Sequence, residues 1–220
     1  EKNAQALLGQ ALMAAESYEH RAATLAEAAL KADPKLVEAE ELLARLALED
    51  NNNPKAIEEA KKALALDSNS VGGKAILATI DWLADKKETP WDPHNAAGYE
   101  LVGHFFTLNR RYEEGITFLR KAIEMDPQLY SAQADLGINL MRLGQDQEAY
   151  KLLENCYQNG FQSSAVRNSL KLMDTYKNFA TYKTDRLVLK VNKKEADLLR
   201  PYFQSEIERA LDTSEKKYKL

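Results

Sequence analysis

The stretch from Gly98 to Pro127, GYELVGHFFTLNRRYEEGITFLRKAIEMDP, decides the fold. Apolar residues recur three and four apart on both sides of Asn109–Arg111, the period of two amphipathic helices joined by a tight turn. Gly103 is small where two helices must approach closely, and Ala122 is small where the second helix meets the next hairpin. Asp126-Pro127 ends the second helix, because proline cannot continue it.

The pattern then repeats. In AQADLGINLMRLGQDQEAYKLLENCYQNG, Gly137 stands 34 residues after Gly103. Leu136 follows Val102, Ala149 follows Gly115, Leu153 follows Leu119 and Cys156 follows Ala122 by the same step. Upstream, LLARLALEDNNNPKAIEEAKKALALDS carries Ala44, Ala56, Ala60 and Ala63 in the small-residue slots. Asp67-Ser68 lies 34 residues after Asp33-Pro34, which closes a first hairpin holding Ala22, Ala26 and Ala29.

These residues resemble the tetratricopeptide repeat, a helix–turn–helix unit, over roughly residues 3–178. In the unit starting at Ala96, Tyr99, Val102-Gly103, Phe106, Gly115, Leu119, Ala122 and Pro127 match the family pattern. In the unit starting at Tyr130, Leu136-Gly137, Leu140, Ala149, Leu153 and Cys156 match. The first two units match more weakly, with alanine in place of several large residues. The resemblance implies a mainly α chain, an α-α superhelix or right-handed solenoid of helical hairpins. The expected units are 2–35, 37–70, an irregular 71–95, 96–129 and 130–162, with a capping helix over 163–178 that shields the last hairpin from water.

The irregular unit has a plausible first helix, KAILATIDWLADK. Its closing Asp92-Pro93 keeps register with Asp126-Pro127, but Pro93 is only 25 residues after Ser68. Nine residues are lacking, and KETPW stands where a second helix belongs. Either a deletion left a short connector, or a piece of chain is missing from the sequence near Lys87–Trp91; the second is the expectation.

After Asn178 the period changes. FATYKTDRLVLKVN has strand composition, with Leu187, Leu189 and Val191 alternating against Val188 and Lys190. A long helix follows, with Leu198, Leu199, Tyr202, Phe203, Ile207 and Leu211 on one stripe and a kink or break expected at Pro201. From Phe179 to about Tyr218 this strand or hairpin plus helix resembles the opening of the peptidase-MA-like (gluzincin) domain, which in bacterial proteins often follows tetratricopeptide repeats. The resemblance implies that residues 179–220 begin a truncated second domain of a zinc metallopeptidase. Its catalytic His-Glu-x-x-His is not in this chain: His20, His94 and His104 are the only histidines, and no two are four apart. No catalytic residues, metal ligands or cofactor are therefore expected here.

The bulk numbers agree with a scaffold. The chain has 220 residues, 45% apolar and 29% charged, with a net charge of -4, which argues against a general nucleic-acid or anionic-membrane binder. No apolar run reaches the ~18–20 residues of a membrane span. The chain starts at Glu1 with no secretory signal, so a piece of a longer protein is expected, its compartment and oligomeric state unknown. The lone Cys156 fills an alanine slot as a small packing residue, and a nucleophile would need a nearby base. Glu113-Glu114 beside Arg110-Arg111 reads as a solvated helix N-terminus, since adjacent helical residues do not converge. His94 reads as a turn residue and Lys216-Lys217 as a solvated helix end.

The family resemblance implies that the first helices line a concave groove. The groove candidates are Glu41, Leu42 and Arg45, with Glu49; Glu100, Leu101, His104 and Leu108, with Thr107; and Asp135, Ile138, Met141 and Arg142, with Ala134. For His104, a bond to a neighbour or to solvent is the simpler expectation. This mixture of apolar and both charges suits a peptide or protein segment better than a terminal carboxylate. It could equally pack on a downstream part of the same parent chain.

Overall fold

A computed structural model describes residues 3–16, 19–86 and 94–219. The chain divides into two compact units, Glu1–Asn139 and Leu140–Leu220, described in turn. The expectation about Lys87–Trp91 lies outside the described residues.

The first unit contains α1 (Ala4–Glu16), α2 (Arg21–Ala32), α3 (Val37–Glu49), α4 (Asn53–Leu66), α5 (Val71–Leu83), α6 (Ala96–Leu108), α7 (Tyr112–Met125) and most of α8 (Tyr130–Arg142). Helices α1/α2, α3/α4 and α6/α7 pack as hairpins. The small slots read from the sequence are the contact lines: Ala22, Ala26, Ala29, Ala44, Ala56, Ala60, Ala63 and Ala122 are buried. Alanine there lets backbones approach while the intervening leucines fill the core.

The turns after the first helices share one construction. Asn52, Lys86 and Arg111 donate backbone N–H bonds back to Ala47, Asp81 and Phe106, at 2.8, 2.7 and 2.9 Å. The residue before each donor is left-handed, with φ 56° at Asn51, 58° at Asp85 and 63° at Arg110. This back-bonded turn satisfies carbonyls at a helix end. Helix α5 thus ends in the same turn as α3 and α6, and the next described helix is α6.

Helix α5 is held at both ends. At its start, Glu41 Oε1 of α3 accepts from Ser70 Oγ at 2.6 Å and from the Gly72 N–H at 3.0 Å, a carboxylate at a helix N-terminus. At its end, the Arg111 guanidinium donates to the Trp82 carbonyl at 3.3 Å and pairs with Asp85, a cation at a helix C-terminus. The two clamps put like ends of α3, α5 and α6 together, so these first helices run parallel. Arg111 also lies 4.7 Å over the Phe106 ring, and Phe118 packs on Trp82, Tyr99 and Phe106.

The faces of α5 are thin. By the repeat step, Gly72, Ala75, Ile76 and Thr79 stand where α3 has Glu38, Glu41, Leu42 and Arg45, and where α6 has Ala97, Glu100, Leu101 and His104. With Gly72, Ala75 and Thr79 short, side chains of α3 and α6 meet at α5. Phe105 of α6 shares one buried cluster with Ala44, Ala47 and Leu48 of α3 and Ile76 of α5.

The second unit runs from the end of α8 through α9 (Asp146–Gln158), α10 (Ser164–Asp174), a 3-10 turn (Thr175–Asn178), β1 (Phe179–Lys183), β2 (Val188–Asn192) and α11 (Ala196–Tyr218). Gly144 and Gly160 supply the left-handed turn residues at φ 74° and 87°. Helix α10, capped by Ser163 Oγ accepting from the Val166 N–H, buries Val166 and Met173. The strand composition resolves into an antiparallel hairpin pairing Phe179 with Asn192 and Lys183 with Val188. Arg186 in its tip pairs with Asp212 and Glu215 of α11. Of the kink or break expected at Pro201, the break does not occur: α11 runs on through it. Only one turn of helix precedes Pro201, so its missing N–H removes a single bond near the start.

Candidate functional site

The sequence candidates separate into residues that hold the fold and residues that face outward. Leu42 does not belong to a groove: it is 4% exposed and packs in the cluster shared with α1 and α2. Ala134 is likewise buried. Glu41 is committed to the start of α5. Thr107 is buried, donates to the Gly103 carbonyl at 2.9 Å, and accepts from Asn139 Nδ2 at 2.6 Å. Leu101 is half-buried against the α3–α5–α6 cluster.

Arg45, Glu49, Glu100, His104 and Asp135 form a row of charges across α3, α6 and α8. Arg45 Nε pairs with Glu49 at 3.2 Å. His104 Nδ1 lies 2.8 Å from Asp135 Oδ2. Glu100 sits among Ser131, Asp135, His104 and Arg45. The row exists because α6 carries Glu100 and His104 four residues apart on one face, and because thin α5 brings α3 within reach. Leu108, 47% exposed, and half-buried Ile138 provide apolar surface on the same helices. In the second unit Met141 is half-buried and Arg142 exposed.

The electrostatics of the row are strained. Burial pushes the Glu100 carboxyl up, and the charge of Asp135 adds to this; Ser131, His104 and Arg45 only partly offset it, so it stays above its ordinary range. Burial pulls His104 down, but the hydrogen bond and charge of Asp135, with Glu49, outweigh it and hold the imidazole above its ordinary value.

Cys156 is fully buried, and burial pushes its thiol up to about 11, as suits a small packing residue. Glu113 and Glu114 are exposed in the first turn of α7, and Glu114 pairs with Arg111. His94 is exposed in a turn. Among the described residues no group of three His, Cys, Asp or Glu side chains is placed to hold a metal ion. No described helix is long and apolar enough to cross a membrane. A cleft of about 430 Å³ in the second unit is lined by Asp146, Tyr150, Lys151, Met173 and Tyr176; Lys190 closes part of it by pairing with Asp146 and lying 4.2 Å over the Tyr176 ring.

Comparison with solved structures gives the fold its name. TTC0263, a thermophilic TPR protein of Thermus thermophilus, superposes with a TM-score of 0.53 at 19% identity, over 77% of this chain and 98% of that one. The fold is that of a tetratricopeptide-repeat array. Yeast Tom70 superposes with a TM-score of 0.57 at 18% identity, over 80% of this chain and 40% of that one. No family model and no curated protein matches the chain. At this identity the likeness is one of fold, and function must be argued from the site.

Proposed function

We propose that the chain is a protein-interaction scaffold that binds a peptide or protein segment on its first-helix face. The observation that carries this is the charged row itself. Glu100, His104 and Asp135 form a half-buried polar cluster, where packing alone would favour apolar residues. Exposed Leu108 and half-buried Ile138 beside them give the apolar contact a docked segment needs. A repeat array builds such a face from successive first helices, each adding one strip.

The test is binding to a cellulose-bound array of nine-residue peptides of varied sequence, comparing the wild-type chain with Leu108→Glu. Leu108 suits this better than Leu101, which supports the core. Binding that survives Leu108→Glu on every peptide would place recognition elsewhere.

A second reading has its own observation. On α11, Leu198, Tyr202 and Phe203 are 68%, 67% and 46% exposed, and the β1–β2 hairpin followed by a long helix is the order expected for the start of a peptidase-MA-like domain. On this reading the array is the non-catalytic region of a zinc metallopeptidase, positioning substrate or packing on the catalytic domain. A His-Glu-x-x-His within about a hundred residues downstream in the gene supports it; its absence there removes it.

A further inference from the structure

The proposed first-helix face has a charge imbalance that specifies its ligand further. Three carboxylates of the row, Glu49, Glu100 and Asp135, are served by one guanidinium, Arg45, and one imidazole, His104. With His104 protonated, one negative charge is left over; with it neutral, two are. Arg45 is engaged with Glu49, and His104 with Asp135. Among the described residues, Glu100 is the carboxylate of the row with no ion pair of its own: its side chain hydrogen-bonds the neutral hydroxyl of Ser131, and His104 and Arg45 act on it only as nearby charges.

A half-buried carboxylate beside a second one is costly, and a cation brought by a ligand offsets that cost directly. The surrounding surface narrows the cation's carrier. Leu108 and Ile138 flank the row with apolar area, so a bare inorganic ion would use only part of what is there. A peptide side chain with an aliphatic stem and a charged tip uses both.

Resting on the proposed use of the first-helix face, we infer that this row recognises a peptide segment carrying a lysine or arginine flanked by apolar residues, with its charged tip seated between Glu100 and Asp135. The surplus negative charge of Glu49, Glu100 and Asp135 would keep acidic segments away.

The test uses the same peptide array with each sequence printed four times, its central residue lysine, arginine, glutamate or leucine. Affinities of the strongest binders are measured in solution by fluorescence anisotropy. Lysine or arginine at the centre is expected to bind about tenfold tighter than leucine, the size of one charge-assisted hydrogen bond, and glutamate weaker still. Glu100→Gln, which keeps the shape, should erase the preference, while Glu124→Gln, at an exposed position of α7, should leave it intact. Circular dichroism melts confirm that both variants fold. Equal binding of lysine and leucine centres, a preference for glutamate, no binder on the array, or a cationic preference that persists in Glu100→Gln would overturn the inference. If binders lose affinity with Leu108→Glu but show no cationic preference, the face is used and only this inference fails. If binders ignore Leu108→Glu, the face itself is not the site.

Discussion

The backbones of Gly103 and Gly115 meet directly. A Cβ on Gly115 would stand 2.9 Å from the Gly103 carbonyl oxygen and 2.8 Å from Thr107 Oγ1, and a Cβ on Gly103 would stand 3.0 Å from the Gly115 carbonyl oxygen. Each glycine leaves room for the other's carbonyl, so α6 and α7 approach more closely than an alanine at either position allows. The tetratricopeptide pattern favours alanine at the Gly115 position, and here glycine replaces it because Thr107 already fills the space.

Gly115→Ala is therefore expected to destabilise the first unit by about 1–3 kcal/mol, the usual cost of overpacking a tight contact, although alanine is the better helix former. Urea denaturation followed by circular dichroism measures it. A variant as stable as the parent, or more so, would show that the hairpin can open without loss. Pairing Gly115→Ala with Thr107→Ser, which keeps the Oγ, should not restore stability.

Arg110 occupies a left-handed position with φ 63°, where its counterpart in the next unit, Gly144, needs no side chain. Its guanidinium is exposed, unlike that of Arg111, which clamps α5. Arg110→Gly is expected to stabilise the chain by about 0.5–1 kcal/mol by relieving the strained backbone. A loss of stability in the same urea experiment would mean that the Arg110 side chain contributes more than its backbone costs.

His104 is expected to titrate above the ordinary imidazole range, because the contact with Asp135 outweighs burial. A group whose folded pKa is raised contributes stability that is fully present below its unfolded value of about 6.5 and is lost as pH rises through the folded value. Chemical shifts of the His104 ring protons followed against pH report the value. Asp135→Asn should bring it below that of the wild type; an unchanged titration would mean that Asp135 does not hold the proton.

The repeat was legible in the sequence because close approach demands small residues at fixed spacing, and Ala56, Ala60, Ala122 and Cys156 stand where the 34-residue step puts them. The strand composition after Asn178 likewise announced the β1–β2 hairpin. The site was less legible. Reading groove positions from the step treats every unit alike, but α5 has no second helix among the described residues and carries Gly72, Ala75 and Thr79 on its faces. That lets α3 reach α6, turns Glu41 into the N-terminal clamp of α5 and brings Arg45 to Glu100. Leu42 was misplaced for a related reason: in the alanine-rich first hairpin, with Ala22, Ala26 and Ala29 short, a leucine from α3 fills the core. No spacing rule shows which apolar residue a small neighbour leaves room for.

The central claim, that the first-helix face is the binding surface, is tested most directly by amide chemical-shift mapping. The strongest array-selected peptide is titrated into isotopically labelled protein. The account predicts that the largest changes fall at Arg45, Glu49, Glu100, His104, Leu108 and Asp135. Changes confined to α4, α7 or α11, with those six residues unmoved, would contradict it.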